Sequence, residues 1–232
     1  MSKKTFAHKN MTMEKNYRNL GFIFLLLIPI MLLGFFSSYL SKLVNSEKSI
    51  HFLIHLHFWV STTWVVLMIL QPLLIRFKRP RLHKKLGKFS YVLFVLFNLT
   101  LVPFIIGVTD YVLKGGSPTV LVSTLFNVVL VNIFFILAMV HRKNIALHMR
   151  YMIALALVFL FPPIGRIVMQ NTQNHFLAAV HINYTLVNLI LVGLIFLDRA
   201  NQRSYRPYAI ALVAFILNQV ALHASFSTYG LM

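Results

Sequence analysis

The chain has 232 residues, 59% hydrophobic and 11% charged, against about 25% charged in an average soluble domain. Only Glu14, Glu47, Asp110 and Asp198 are acidic, and the formal net charge is +18. On a soluble domain that balance would suggest nucleic acid. Here the basic residues lie in short segments between long apolar runs, which argues against a nucleic-acid partner and for loops facing the lipids of an anionic membrane surface. With no cysteine in the chain, disulfides, thiolate zinc sites, iron–sulfur clusters and covalently attached haem are excluded, while histidine-bound metal and non-covalent haem stay open.

A spanning helix needs about 20 apolar residues. Residues 1–20 form a basic N-terminal segment, expected on the cytoplasmic side. No small-x-small cleavage site follows it, so the first apolar run, Gly21–Tyr39, is expected to be a retained span.

The second run, Phe52–Leu74, carries His57, Ser61, Trp64, Met68 and Gln71, spaced by four, three, four and three residues. At about 100° per residue these fall on one stripe, with His55 on roughly the opposite side beside His51 and Thr62. The adjacent His55-x-His57 pair therefore cannot chelate one ion on a regular helix, whereas His51 and His55 have the spacing to do so. The stripe reads either as a packing face bonded to neighbouring helices or as a site with His57 as its ligand.

The third run is Tyr91–Leu113, with Asp110 near its far end, and the fourth is Val120–Val140. The fifth, Tyr151–Met169, contains Pro162, Pro163 and Arg166. The prolines should kink it and open space around backbone carbonyls. A permanent cation at that depth carries an insertion penalty of about 2.5–3.5 kcal/mol. Arg166 should therefore pair with Asp110, snorkel to the interface, or receive an anion such as a lipid phosphate, a carboxylate or a haem propionate.

The sixth run, Phe176–Leu197, places His181, Tyr184 and Asn188 on one face. The seventh, Tyr208–Phe226, places Gln219 and His223 on one face and leaves 227–232 as a short outer tail. With the N-terminus inside, the inner segments 1–20, 75–90, 141–150 and 198–207 hold eighteen of the 22 Lys and Arg, against Lys42, Lys48 and Lys114 outside. That is the bias expected of cytoplasmic loops. The fold expected is all-α: one polytopic bundle of about seven transmembrane helices over 21–226, N-terminus inside, with no soluble domain.

A weak repeat joins the starts of two inside-to-outside helices, Leu82-His83-Lys84-Lys85-Leu86-Gly87-Lys88 and Leu147-His148-Met149-Arg150-Tyr151-Met152. Together with Gln71-Pro72-Leu73-Leu74-Ile75-Arg76, these segments resemble a bacterial family of multi-pass membrane proteins of unknown function. Its pattern has an His-Arg-x-Leu-Gly-Arg-like loop and an His-x-Arg-aromatic-Met helix start, and the resemblance covers roughly residues 50–170. Lys84 and Lys88 stand where the family pattern has arginine. The resemblance implies a multi-pass topology and a bacterial inner-membrane location, and no activity.

On this topology His57, His181 and His223 all fall in the outer half of the bilayer. Imidazole ligates haem iron and borderline divalent metals. Two facing histidines would suit b-type haem, and three with a water would suit a catalytic metal. The leading expectation is thus a histidine-ligated redox membrane protein, with His57 and His223 as axial ligands, His181 as the substitute and Arg166 as a propionate anchor. The alternatives are a binding or transport protein for an anionic or amphipathic molecule or lipid, anchored by Arg166, and a non-catalytic assembly factor. His83 and His148 are read as solvated or bound to lipid headgroups; a second haem there would need both to face inward. No lysine in the last span, no P-loop, no paired acids for di-iron and no strand–turn–helix nucleophile elbow are present.

Overall fold

The computed structural model describes residues 14–45, 51–172 and 176–229. Among them are seven helices long and apolar enough to cross a membrane, and no strand. They are α1 (Lys15–Val44), α2 (Phe52–Arg76), α3 (Pro80–Leu113), α4 (Pro118–Val140), α5 (Ile145–Asn171), α6 (Phe176–Ala200) and α7 (Arg206–Tyr229). The chain is a multi-pass membrane protein. Glu47, Lys48 and residues 230–232 of the expected tail lie outside the described residues, while 227–229 continue α7.

Several boundaries differ from the hydropathy reading. The expected loop 75–90 is helical from Pro80 onward, because Pro80 at the first turn is pre-set for helix and Leu82–Lys88 are mostly good helix formers. At 34 residues, α3 is about 50 Å long, against a hydrocarbon core of about 30 Å. Its extra turns carry Arg81, Lys84, Lys85 and Lys88 on one exposed arc. Helix α5 likewise starts at Ile145, where the Asn144 side chain accepts from Leu147 N and caps it.

Helix α5 is the centre of the bundle, touching α1, α4, α6 and α7. Residues 153–161 are all buried, with Ala154 and Leu155 fully so. It breaks at Phe159–Leu160 into α5a (Ile145–Val158) and α5b (Phe161–Asn171). The expected kink is thus a two-residue break in the α-helical bonding, with Phe159 and Leu160 both keeping right-handed helical torsions. Pro162 and Pro163 lack the N–H groups that would close the next turn, and surrounding protein rather than lipid tolerates the gap. The irregular part of α1, a π-helical turn at Phe36–Leu40, packs beside α5b. There Gly34 lets the backbones approach: a Cβ at Gly34 would lie 2.5 Å from Pro163 Cα and carbonyl oxygen.

The weak repeat has a structural counterpart. His83 Nδ1 bonds the Gln71 carbonyl of α2 at 3.3 Å, and His148 Nδ1 bonds the Ala138 carbonyl of α4 at 2.8 Å. In each hairpin the Leu-His histidine braces the helix before it. Both are half-buried, and so neither simply solvated nor given over to lipid headgroups.

Candidate functional site

Two polar centres sit at opposite ends of the bundle. The first lies where α5b meets α1. Arg166, on the second turn of α5b, is half-buried, and its guanidinium lies over the Phe35 ring of α1 with Cζ 4.5 Å from the centroid. Its Nη1 donates to Pro162 O of its own helix at 3.1 Å. One turn on, Gln170 Nε2 donates to Ser37 Oγ at 2.5 Å. Helix α5b and the stretch of α1 that runs into its π-turn thus meet at Arg166 and Gln170.

The proposed pairing of Arg166 with Asp110 is wrong. Asp110 is exposed and bonded to Lys114 Nζ at 2.6 Å, one turn along α3. The sequence gives the depth of each residue but not the rotation of its helix, and α3 turns Asp110 away from the bundle. Among the described residues no carboxylate pairs with Arg166.

His57, on the second turn of α2, lies at the same end of the bundle. Its Nδ1 is 2.9 Å from Thr100 Oγ1 of α3, and its Nε2 is 3.3 Å from Ser61 Oγ. The Thr100 hydroxyl proton is committed to Phe97 O at 2.8 Å, so the Thr100 oxygen accepts and His57 carries its proton on Nδ1. Nε2 then presents a lone pair, held only by the longer serine contact. Phe104 packs on the ring at 4.7 Å between centroids. It also lines an open, apolar cleft with Ile54, Pro103, Gly107 and Tyr111. The stripe on α2 faces inward as spaced, with Trp64 and Met68 buried. His55 points the other way and bonds Tyr39 OH of α1 at 2.7 Å.

His57, His181 and His223 do not form one group. Helix α2 packs on α1 and α3, while α6 and α7 pack on each other. His181 and His223 therefore meet, with ring centroids 4.9 Å apart and planes at 34°. Among the described residues no three His, Cys, Asp or Glu are placed to hold a metal together. Two imidazoles on opposite faces of a haem iron need centroids about 6 Å apart, from a metal–nitrogen bond of about 2 Å and about 1 Å more to each ring centre. The arrangement here is closer than that.

The second centre, at the other end, was missed. Arg150 and Asp198 are fully buried and joined in a fork: Nε to Oδ2 at 2.6 Å and Nη2 to Oδ1 at 2.9 Å. Glu14 accepts from Nη1 and Nη2 at 3.1 and 3.0 Å and lies 3.1 Å from Arg203. Tyr17 donates to Asp198 Oδ1 at 2.8 Å and lies under the guanidinium. Two of the four acids in the chain are spent here. That scarcity was the available signal: an acid flanking an apolar run in so basic a chain needs a cation. Counting Arg150 as a loop charge hid its partner.

No family model, curated protein or solved structure matches this chain.

Proposed function

We propose that this is a binding or transport protein for an anionic amphipathic molecule, with the acidic head on Arg166 and the apolar tail along the cleft lined by Phe104. The observation that carries the reading is Arg166: a guanidinium inside a spanning helix with one hydrogen bond, to its own helix, and no carboxylate partner among the described residues. A charge at membrane depth is costly without a partner, and planar guanidinium suits carboxylate and phosphate. The half-helix beside a π-turn supports the reading, since irregular backbone at membrane depth goes with binding sites in transporters. His57 Nε2 offers a further acceptor at the same end of the bundle. The haem reading has less support, because His57 lies apart from His181 and His223.

Titrating detergent-purified protein with a long-chain fatty acid, an isoprenyl phosphate and their uncharged alcohols tests this. The acids should bind and the alcohols should not. A hydrogen bond to a charged group contributes about 1.5–3 kcal/mol, so Arg166→Met should weaken binding about 10- to 100-fold, with Arg166→Lys between. Glu47→Gln should change nothing; tighter binding in that variant would make Glu47 the counter-charge. Equal affinity in Arg166→Met and the parent would sink the proposal.

The location we propose is a bacterial inner membrane with the N-terminus inside, supported by the eighteen-to-three split of basic residues. Reporter fusions after Arg79 and after Met232 should then report opposite sides; both on the cytoplasmic side would overturn the orientation.

A further inference from the structure

Of the described histidines, His51, His55, His57, His83, His141 and His148 each make a hydrogen bond. His181 and His223 make none, and they are the two whose rings face each other at 4.9 Å. A polar imidazole near the end of a spanning helix would ordinarily find a hydrogen-bond partner, as the other six do. Both side chains are reachable from outside the bundle, His181 exposed and His223 half-buried.

The separation has a chemical meaning. Two imidazoles on adjacent corners of a tetrahedral ion have centroids about 5 Å apart, from metal–nitrogen bonds of about 2 Å and an angle near 109°. That matches the observed distance, which is too short for trans ligation. Two turns from His181 and one from His223, Asn188 Nδ2 donates to Gln219 Oε1 at 3.3 Å, pinning α6 to α7 and holding the two histidines in register.

We infer that His181 and His223 form a two-histidine site for a borderline divalent cation of the Zn²⁺ or Cu²⁺ kind. Neutral imidazole prefers such ions over Mg²⁺ or Ca²⁺. With two protein ligands, the remaining positions are left to water or an exogenous donor, so the ion is exchangeable. The site clamps α6 to α7 at the end away from the Arg150 network, and it does not depend on the proposed anion site.

The test is Zn²⁺ titration of detergent-purified protein carrying no polyhistidine tag, with Co²⁺ as a spectroscopic probe. The parent should bind one Zn²⁺ saturably below about 100 µM free ion, raising its thermal midpoint by mass action. The Co²⁺ complex should show visible bands of a tetrahedral ion. His181→Gln and His223→Gln should each lower the affinity at least about tenfold, while His141→Gln should leave it unchanged. Because a glutamine variant could fail for reasons of folding, His223→Cys is the complement: thiolate is also a ligand, and the chain has no other cysteine, so binding should return. Absence of saturable binding in the parent would overturn the inference and leave two rings in tilted contact. So would binding that survives both glutamine changes, or failure of the cysteine to restore it.

Discussion

Arg150→Met should be the most damaging single change at its end of the bundle, lowering stability by about 3–5 kcal/mol. It leaves Asp198 fully buried with only the Tyr17 hydroxyl as partner. Asp198→Asn should cost less, because Arg150 keeps the forked contact to Glu14. The double change Arg150→Met with Asp198→Asn should recover much of the loss, since a pair removed together leaves no stranded charge. Thermal midpoints in one detergent are the measurement. Losses that simply add across the two sites would mean that the fork is not a coupled unit.

The same chemical change at two glycines should have opposite signs. A Cβ at Gly34 meets Pro163 backbone at 2.5 Å, and backbone cannot step aside. Gly34→Ala should therefore push α1 off α5b, at a cost of about 1–3 kcal/mol. It should also weaken anion binding, because the contacts of Phe35 with Arg166 and of Ser37 with Gln170 sit on the same stretch. At Gly193 an added Cβ meets nothing within 4 Å. Gly193→Ala should leave stability unchanged or raise it by about 0.5–1 kcal/mol, the helix-propensity gain. Equal effects at both sites would show that the close approach of α1 and α5b is not needed.

Which parts of this were legible in the sequence follows from what each signal measures. Hydropathy reports the lipid-facing window of a helix, so all seven spans could be read but their ends could not. Lys84, Lys85 and Lys88 lower the hydropathy of α3 while extending its helix. Helix α5 has its hydropathy interrupted by Pro162, Pro163 and Arg166 because it is the central helix, where neighbours are protein and polar or broken backbone is tolerated. Helical spacing gave the face on which His57 lies and set His55 on the other, as their partners Thr100 and Tyr39 show. Spacing gives no neighbours, however. His181 and His223 meet because α6 and α7 are an antiparallel hairpin, a local fact. Whether α2 packs beside them is a matter of tertiary order, which nothing in the spacing encodes. Asp110 and Arg166 were matched on depth alone, and the rotation of α3 undid the match. The Arg150–Asp198 fork joins residues 48 apart, and only the scarcity of acids pointed to it.

The most direct measurement for the Arg166 proposal is the content of the site as the protein leaves its own membrane. Protein purified in mild detergent and analysed by native mass spectrometry should retain an anionic amphiphile at close to one per chain, identified after extraction by its mass. The same preparation of Arg166→Met should have lost it, and His181→Gln should have kept it. An identical set of bound molecules in Arg166→Met and the parent, with both folded to the same thermal midpoint, would contradict the assignment of Arg166 as an anion's counter-charge.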